Sequence, residues 1–211
     1  MKDMIQKITT EKVSLSNTGL GESEALSMTE HAAGLLHLSE KDKLRARLLA
    51  EEMLSMVRAV TGEFKADFWI ELEDRTCSLH LKAHSDLDYP KRQELLSMST
   101  TGKNTKHLGI MEKIRGIIEA GIYGFAESYN IQSEYGVGMM PYGAIGLPDD
   151  GMADIFYAWS MQKYKDEIDA KKEEEADSYD ELEKSIIANV ADDVRVGVNE
   201  KGVEIVIVKK F

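Results

Sequence analysis

Residues 39–62, SEKDKLRARLLAEEMLSMVRAVTG, decide how the chain folds. Leu44, Leu48, Leu49, Met53, Met56, Val57 and Val60 recur at three- and four-residue intervals, and Lys41, Lys43, Arg45, Arg47, Glu51 and Arg58 fill positions between them. That period predicts an amphipathic helix with one stripe on a core. Ser39 followed three residues later by Asp42 is a capping-box signal for its start, and Gly62 is placed to end it. Two adjacent acids, Glu51 and Glu52, sit mid-helix, one turn before Ser55 and Met56.

Working outward, Asp67–Glu73 (DFWIELE) and Cys77–Ala83 (CSLHLKA) alternate apolar and polar residues across Asp74-Arg75-Thr76, so they predict an antiparallel hairpin with one buried face. His80 and His84 fall on its other face, with Asp86 and Asp88 beyond. The spacing is one a metal could use, but the plainer expectation is the solvated side of a sheet. Upstream, Lys12–Ser16 predicts a short strand, and Glu22–Leu38 predicts a helix with Ala25, Met28, Ala32, Leu35 and Leu36 on one face. Downstream, residues 88–106 read as a polar loop, and His107–Glu119 as a helix with Leu108, Met111, Ile114, Ile117 and Ile118 inward. Gly102-Lys103-Asn104-Thr105 lacks the spacing of a phosphate loop, because the first glycine position is Ser97.

Residues 120–152 change character: seven glycines and two prolines break any long regular element, and the stretch predicts a loop-rich excursion. Residues 153–168 and 179–192 predict helices, separated by a charge run. Val194–Val198 and Val203–Val208 then alternate across Asn199-Glu200-Lys201-Gly202 as a closing hairpin. The expected architecture is an α+β two-layer sandwich: a mixed, mostly antiparallel sheet of about five strands with helices on one face. A single domain would span residues 1–211, with an insertion at about 120–192 and the closing hairpin at 193–211.

Composition narrows the function. A formal net charge of −12 over 211 residues argues against nucleic acid, whose phosphates need a basic surface. One cysteine, Cys77, excludes an internal disulfide and fits a reducing cytoplasm. No run approaches a membrane span and the first residues lack a signal-peptide core, so a cytoplasmic protein is expected.

The order of elements, with the Ser39–Val60 helix ahead of a hairpin, resembles the GHKL superfamily (gyrase, Hsp90, histidine kinase, MutL), and most of all the branch of anti-sigma-factor serine kinases. The resemblance covers roughly residues 12–118 and the final hairpin. It implies ATP as ligand and places Glu52 where the family has the glutamate that activates a hydroxyl or water for attack on the γ-phosphate. Four residues on, Met56 stands where the family has the asparagine that holds Mg²⁺; in the register of Glu51 the position is Ser55. The adenine-binding aspartate maps to Asp86 in His84-Ser85-Asp86-Leu87-Asp88, where the family's glycines are absent. The second glycine box maps to Thr105–Gly109 and keeps only Gly109, with Gly102, Lys103, Asn104 and Thr105 as the phosphate-side loop. With these motifs eroded, the resemblance implies a regulatory protein that grips a partner of the sigma-factor or anti-anti-sigma type, with weak or absent ATP turnover; the alternative is an active ATP-dependent serine kinase or ATPase. It also allows a homodimer.

Overall fold

Alternation of apolar and polar residues in four long strands puts one apolar face on the sheet, and that face sets the whole arrangement. The computed structural model describes residues 7–16, 18–59, 65–84, 114–115, 117–118, 157–170, 185–199 and 202–211. The elements are β1 (Ile8–Thr9), β2 (Val13–Ser16), α1 (Glu22–Leu35), α2 (Glu40–Ala59), β3 (Lys65–Glu73), β4 (Thr76–His84), β5 (Tyr157–Ser160), α3 (Met161–Ala170), α4 (Ile186–Val190), β6 (Asp193–Asn199) and β7 (Gly202–Lys210). Both β1 and β2 pair with β3, and the sheet continues β4, β7, β6, β5. Every described pairing is antiparallel.

This is the expected α+β two-layer sandwich, with more strands than the five anticipated. One addition comes from the first edge. From Ile8 to Val13 is five residues, whereas their partners Leu72 and Phe68 are four apart, so one extra residue bulges between β1 and β2. Thr10 bridges the break: its N–H donates to the Ile70 carbonyl (2.9 Å) and its Oγ1 accepts from the Ile70 N–H (2.9 Å).

The other addition corrects the helix expected over residues 153–168. Tyr157–Ser160 is instead an edge strand on β6, with Trp159 opposite Val196 and buried. The helix begins only at Met161, because Ser160 Oγ and Asp193 Oδ1 accept from the N–H groups of Lys163 (3.4 Å) and Gln162 (3.2 Å). Pairing with a strand about 35 residues downstream overrides local helical pattern.

One face of the sheet carries Phe68, Ile70, Leu72, Leu79, Leu81, Val194, Val196, Ile205 and Ile207, all buried. Against it lie Ala25 and Ala32 of α1, Leu49, Met53 and Met56 of α2, Ile114, Ile117 and Ile118, Met161, and Ile187 of α4. The α2 helix runs Glu40–Ala59 with Ser39 capping Asp42 N–H at 3.2 Å. Its buried stripe is narrower than the apolar pattern implies, because Leu44 is 57% exposed. Likewise Leu35, expected inward on α1, is exposed, and that helix approaches through Ala25, Thr29, Ala32 and Ala33. Small residues let its backbone come close, with Leu26 and Met28 partly buried beside them. Gly62, proposed to end α2, lies outside the described residues, as do 179–184 of the helix expected before β6; Ser185 caps what is described of that element.

Both hairpins close as their sequences indicate. Glu73 pairs with Thr76 across the two-residue turn Asp74-Arg75, and Asp74 takes a left-handed conformation (φ 53°). Asn199 pairs with Gly202. Beside the second hairpin, Asp192 accepts from the Lys210 N–H (2.6 Å) and from Lys209 Nζ (2.9 Å). Partial burial alone would raise its carboxyl pKa, but these bonds and the Lys209 charge outweigh burial and hold it below the usual value.

Two predictions follow from this geometry. At Gly21 (φ 77°) an added Cβ would sit 2.2 Å from the Ser14 carbonyl oxygen, whereas at Gly19 (φ 93°) the nearest atom is 4.0 Å away. Gly19→Ala therefore costs only backbone strain, about 1 kcal/mol, and Gly21→Ala adds a collision between α1 and β2, bringing its cost to roughly 3 kcal/mol or more in urea denaturation. Equal costs would refute the close approach. For Asp192, a depressed folded pKa means stability that is present above the ordinary carboxylate range and lost as pH falls through the folded value. Asp192→Asn should therefore flatten the decline of stability from about pH 4 downward, measured by thermal melts across that range.

Candidate functional site

The residues expected to carry chemistry fall in two groups. Glu52, Ser55 and Met56 are on α2; Asp86, Gly102, Lys103, Asn104, Thr105 and Gly109 lie outside the described residues. The site can therefore be built from its helix side.

Ion pairs fix the rotation of α2. Arg47 binds Glu30 of α1 and, at 2.8 Å, Glu51 of its own helix; Arg58 binds Glu22 of α1 at 2.8 Å. The flank carrying Arg47, Glu51 and Arg58 is thus the one that meets α1. The Glu30 carboxylate, then that of Glu51, raises the guanidinium pKa of Arg47. Five residues beyond Arg47, Glu52 is turned by about 140° around the helix axis, away from α1. Glu52 is half-buried and makes no hydrogen bond or ion pair with any described residue. Of the two adjacent acids, Glu51 is occupied in a surface pair and Glu52 has no partner among the described residues.

Ser55 is half-buried, and Met56 is 2% exposed. Met56 belongs to the core with Phe68, Leu79 and Ile114, so its thioether is spent on packing. Magnesium demands hard oxygen ligands in octahedral geometry. A buried thioether at the position that would hold it is the wrong donor, and the residues present do not fit Mg²⁺ as the resemblance would have it bound. Among the described residues no group of three or more His, Cys, Asp or Glu side chains is arranged to hold a metal. Of the residues spaced with His80 and His84, Asp86 and Asp88 lie outside the described residues, and His80 is not solvated as expected: it is 4% exposed.

The helical residues Ile114, Ile117 and Ile118 are buried in the same core as Met56, so the inward stripe expected of that helix holds where it is described. The α4 helix packs against α2, and Lys165 Nζ of α3 donates to its Ala188 carbonyl (2.8 Å), tying α3 to α4. Cys77 is buried in the core, which pushes its thiol up to about 12 and leaves it unreactive. No described helix is long and apolar enough to cross a membrane.

The class defined by these features is an α+β two-layer sandwich whose long helix α2 carries a carboxylate with no partner among the described residues. The chain matches no protein-family model and no curated protein sequence.

Because Glu52 holds no described residue, Glu52→Gln should change unfolding free energy by no more than about 0.5 kcal/mol in urea denaturation. A loss above about 1 kcal/mol would show that the carboxylate is engaged in holding the fold.

Proposed function

We propose that the protein is a regulatory binding protein with a histidine-kinase-like ATPase fold of the anti-sigma-factor kind, acting by gripping another protein, with weak or absent ATP turnover. The observation that carries this reading is Met56. It stands where the resemblance requires a magnesium-holding asparagine, and it is sealed in the core. Phosphoryl transfer depends on a metal bridging the phosphates, so a site without that ligand is poorly equipped for turnover. One property of the chain suits partner binding: a net charge of −12 complements a basic partner such as a sigma factor's DNA-binding region. The partner class is a sigma factor or an anti-anti-sigma protein.

Glu52 favours a second reading, an active ATP-dependent serine kinase or ATPase. A half-buried carboxylate with no described partner is what a general base needs. In that reading Asp86 contacts adenine and Gly102–Thr105 with Gly109 hold the phosphates.

Calorimetric titration with ATP and ADP, with and without Mg²⁺, separates the two. The regulatory reading expects no Mg²⁺-dependent gain in affinity and no phosphate release, together with recovery of a sigma-factor or anti-anti-sigma protein on the chain when it is isolated from its own cells. Micromolar, Mg²⁺-dependent ATP binding that Asp86→Asn abolishes would overturn it in favour of the kinase.

A further inference from the structure

Four side chains on the outer side of α2 form a nearly palindromic row. Lys41, Leu44, Leu48 and Glu52 follow one another at intervals of three, four and four residues, a cation at one end, a carboxylate at the other and two leucines between. At about 100° per residue they fall within an arc of about 80° around the helix axis. Buried Ala46, Ala50 and Met53 lie on the opposite side of the helix, toward the sheet. Lys41 and Leu44 are exposed, and Leu48 and Glu52 are half-buried. Leu49, Met53, Leu54 and Met56 are all buried, so the two leucines of the row are apolar residues of α2 that the core does not use.

The remaining charges of α2 have partners. Glu40 pairs with Lys43 (2.7 Å), Asp42 with Arg45 (3.0 Å), Arg47 with Glu30 and Glu51, and Arg58 with Glu22. Lys41 and Glu52 have none among the described residues. A second copy of the helix, laid antiparallel across a two-fold axis near Ala46, sets Lys41 opposite Glu52 at both ends and Leu44 opposite Leu48 in the middle. In such a pair each flank of the helix meets its own counterpart, and Lys41 and Glu52 share a flank, about 20° apart. We propose that this face of α2 is an isologous docking surface for a second copy of the chain, with two Lys41–Glu52 ion pairs enclosing a patch of four leucines.

Charge selects both the helix and its orientation. Two chains of net charge −12 repel one another, but α2 carries five basic residues against four acidic ones, so copies can approach there without that penalty. A parallel pair would set Lys41 against Lys41 and Glu52 against Glu52, and like-charge contact excludes it. One helix face per copy is smaller than the roughly 1,200 Å² that a stable complex buries, so the dimer is weak, with a dissociation constant on the order of 10–100 µM. The inference rests on the pattern of α2 and not on the histidine-kinase-like reading. In the dimer each Glu52 faces a cation, which sets the dimer against use of that carboxylate as a base.

The test is sedimentation equilibrium of the full chain from about 1 to about 500 µM, a range that brackets the expected dissociation constant. The chain should pass from monomer to dimer across it. Lys41→Glu and Glu52→Lys should each weaken the dimer about tenfold or more, because each sets like charges against one another at both symmetric positions. Mixing the two variants in equal amounts should restore dimers, since one supplies two carboxylates and the other two ammonium groups in matching places. That rescue also shows that neither single loss is a failure to fold. Where a charge variant does not fold, Leu44→Gln decides: a dimer about tenfold weaker supports the contact, and an unchanged one overturns it. A chain that stays monomeric throughout, a dimer that neither charge reversal weakens, or folded variants that fail to pair when mixed would each overturn the proposal.

Discussion

The pairing of β4 with β7 is the constraint on which the rest of this structure depends. It joins Thr76–Ala83 to Val203–Lys210 along eight registered residue pairs, and it places the last strand in the middle of the sheet rather than at an edge. Each flanking unit is local: a hairpin of β3 and β4 on one side, a hairpin of β6 and β7 on the other. Neither buries its apolar face alone, since two strands are too few for an independent core. Their union makes one apolar surface wide enough for α1, α2, α3 and α4 to cover. Because loop-closure entropy grows only slowly with length, long intervening segments between β4 and β7 are thermodynamically tolerable.

On that surface α2 is held in rotation from two directions. Its apolar stripe faces the sheet, and two arginines anchor one flank to α1. Exposed pairs of this kind add little stability, but they define which flank is occupied. Glu52 is left on the other flank as a carboxylate without a described partner, while Met56 is drawn into the core only one turn later. A helix can present catalytic groups or pack densely at a given position, not both. Here one position of the pair has gone each way, and this sets binding against turnover in the proposed function.

The two faces of the sheet treat polarity differently. Under the helices nearly everything is aliphatic or aromatic, with Thr29 satisfying its hydroxyl on the Ala25 carbonyl (2.8 Å). On the opposite face the buried row mixes an indole, an imidazole and a valine, flanked by carboxylates and lysines. Low local dielectric strengthens any bond formed there and raises the cost of any left unmade.

Much of this was legible from local pattern. Alternation marked β3, β4, β6 and β7, the three-to-four period with Ser39 marked α2, and the resulting two-layer class followed, because each of these signals is carried by residues close together in the chain. The sequence alone also indicated that Glu52 and Met56 share a helix one turn apart. Tertiary structure decided what no local window contains. Edge pairing with β6 made Tyr157–Ser160, inside the helix expected over residues 153–168, a strand, and the approach of α1 through small residues left Leu35 outside. The surface pair with Arg47 separated Glu51 from Glu52, and burial took Met56 into the core. His80 was placed by alternation on the face away from the helices, but its burial between Glu71 and Glu204 required β7, more than 120 residues further on, because a strand's own sequence determines which face a side chain occupies and only its neighbours determine what that face meets.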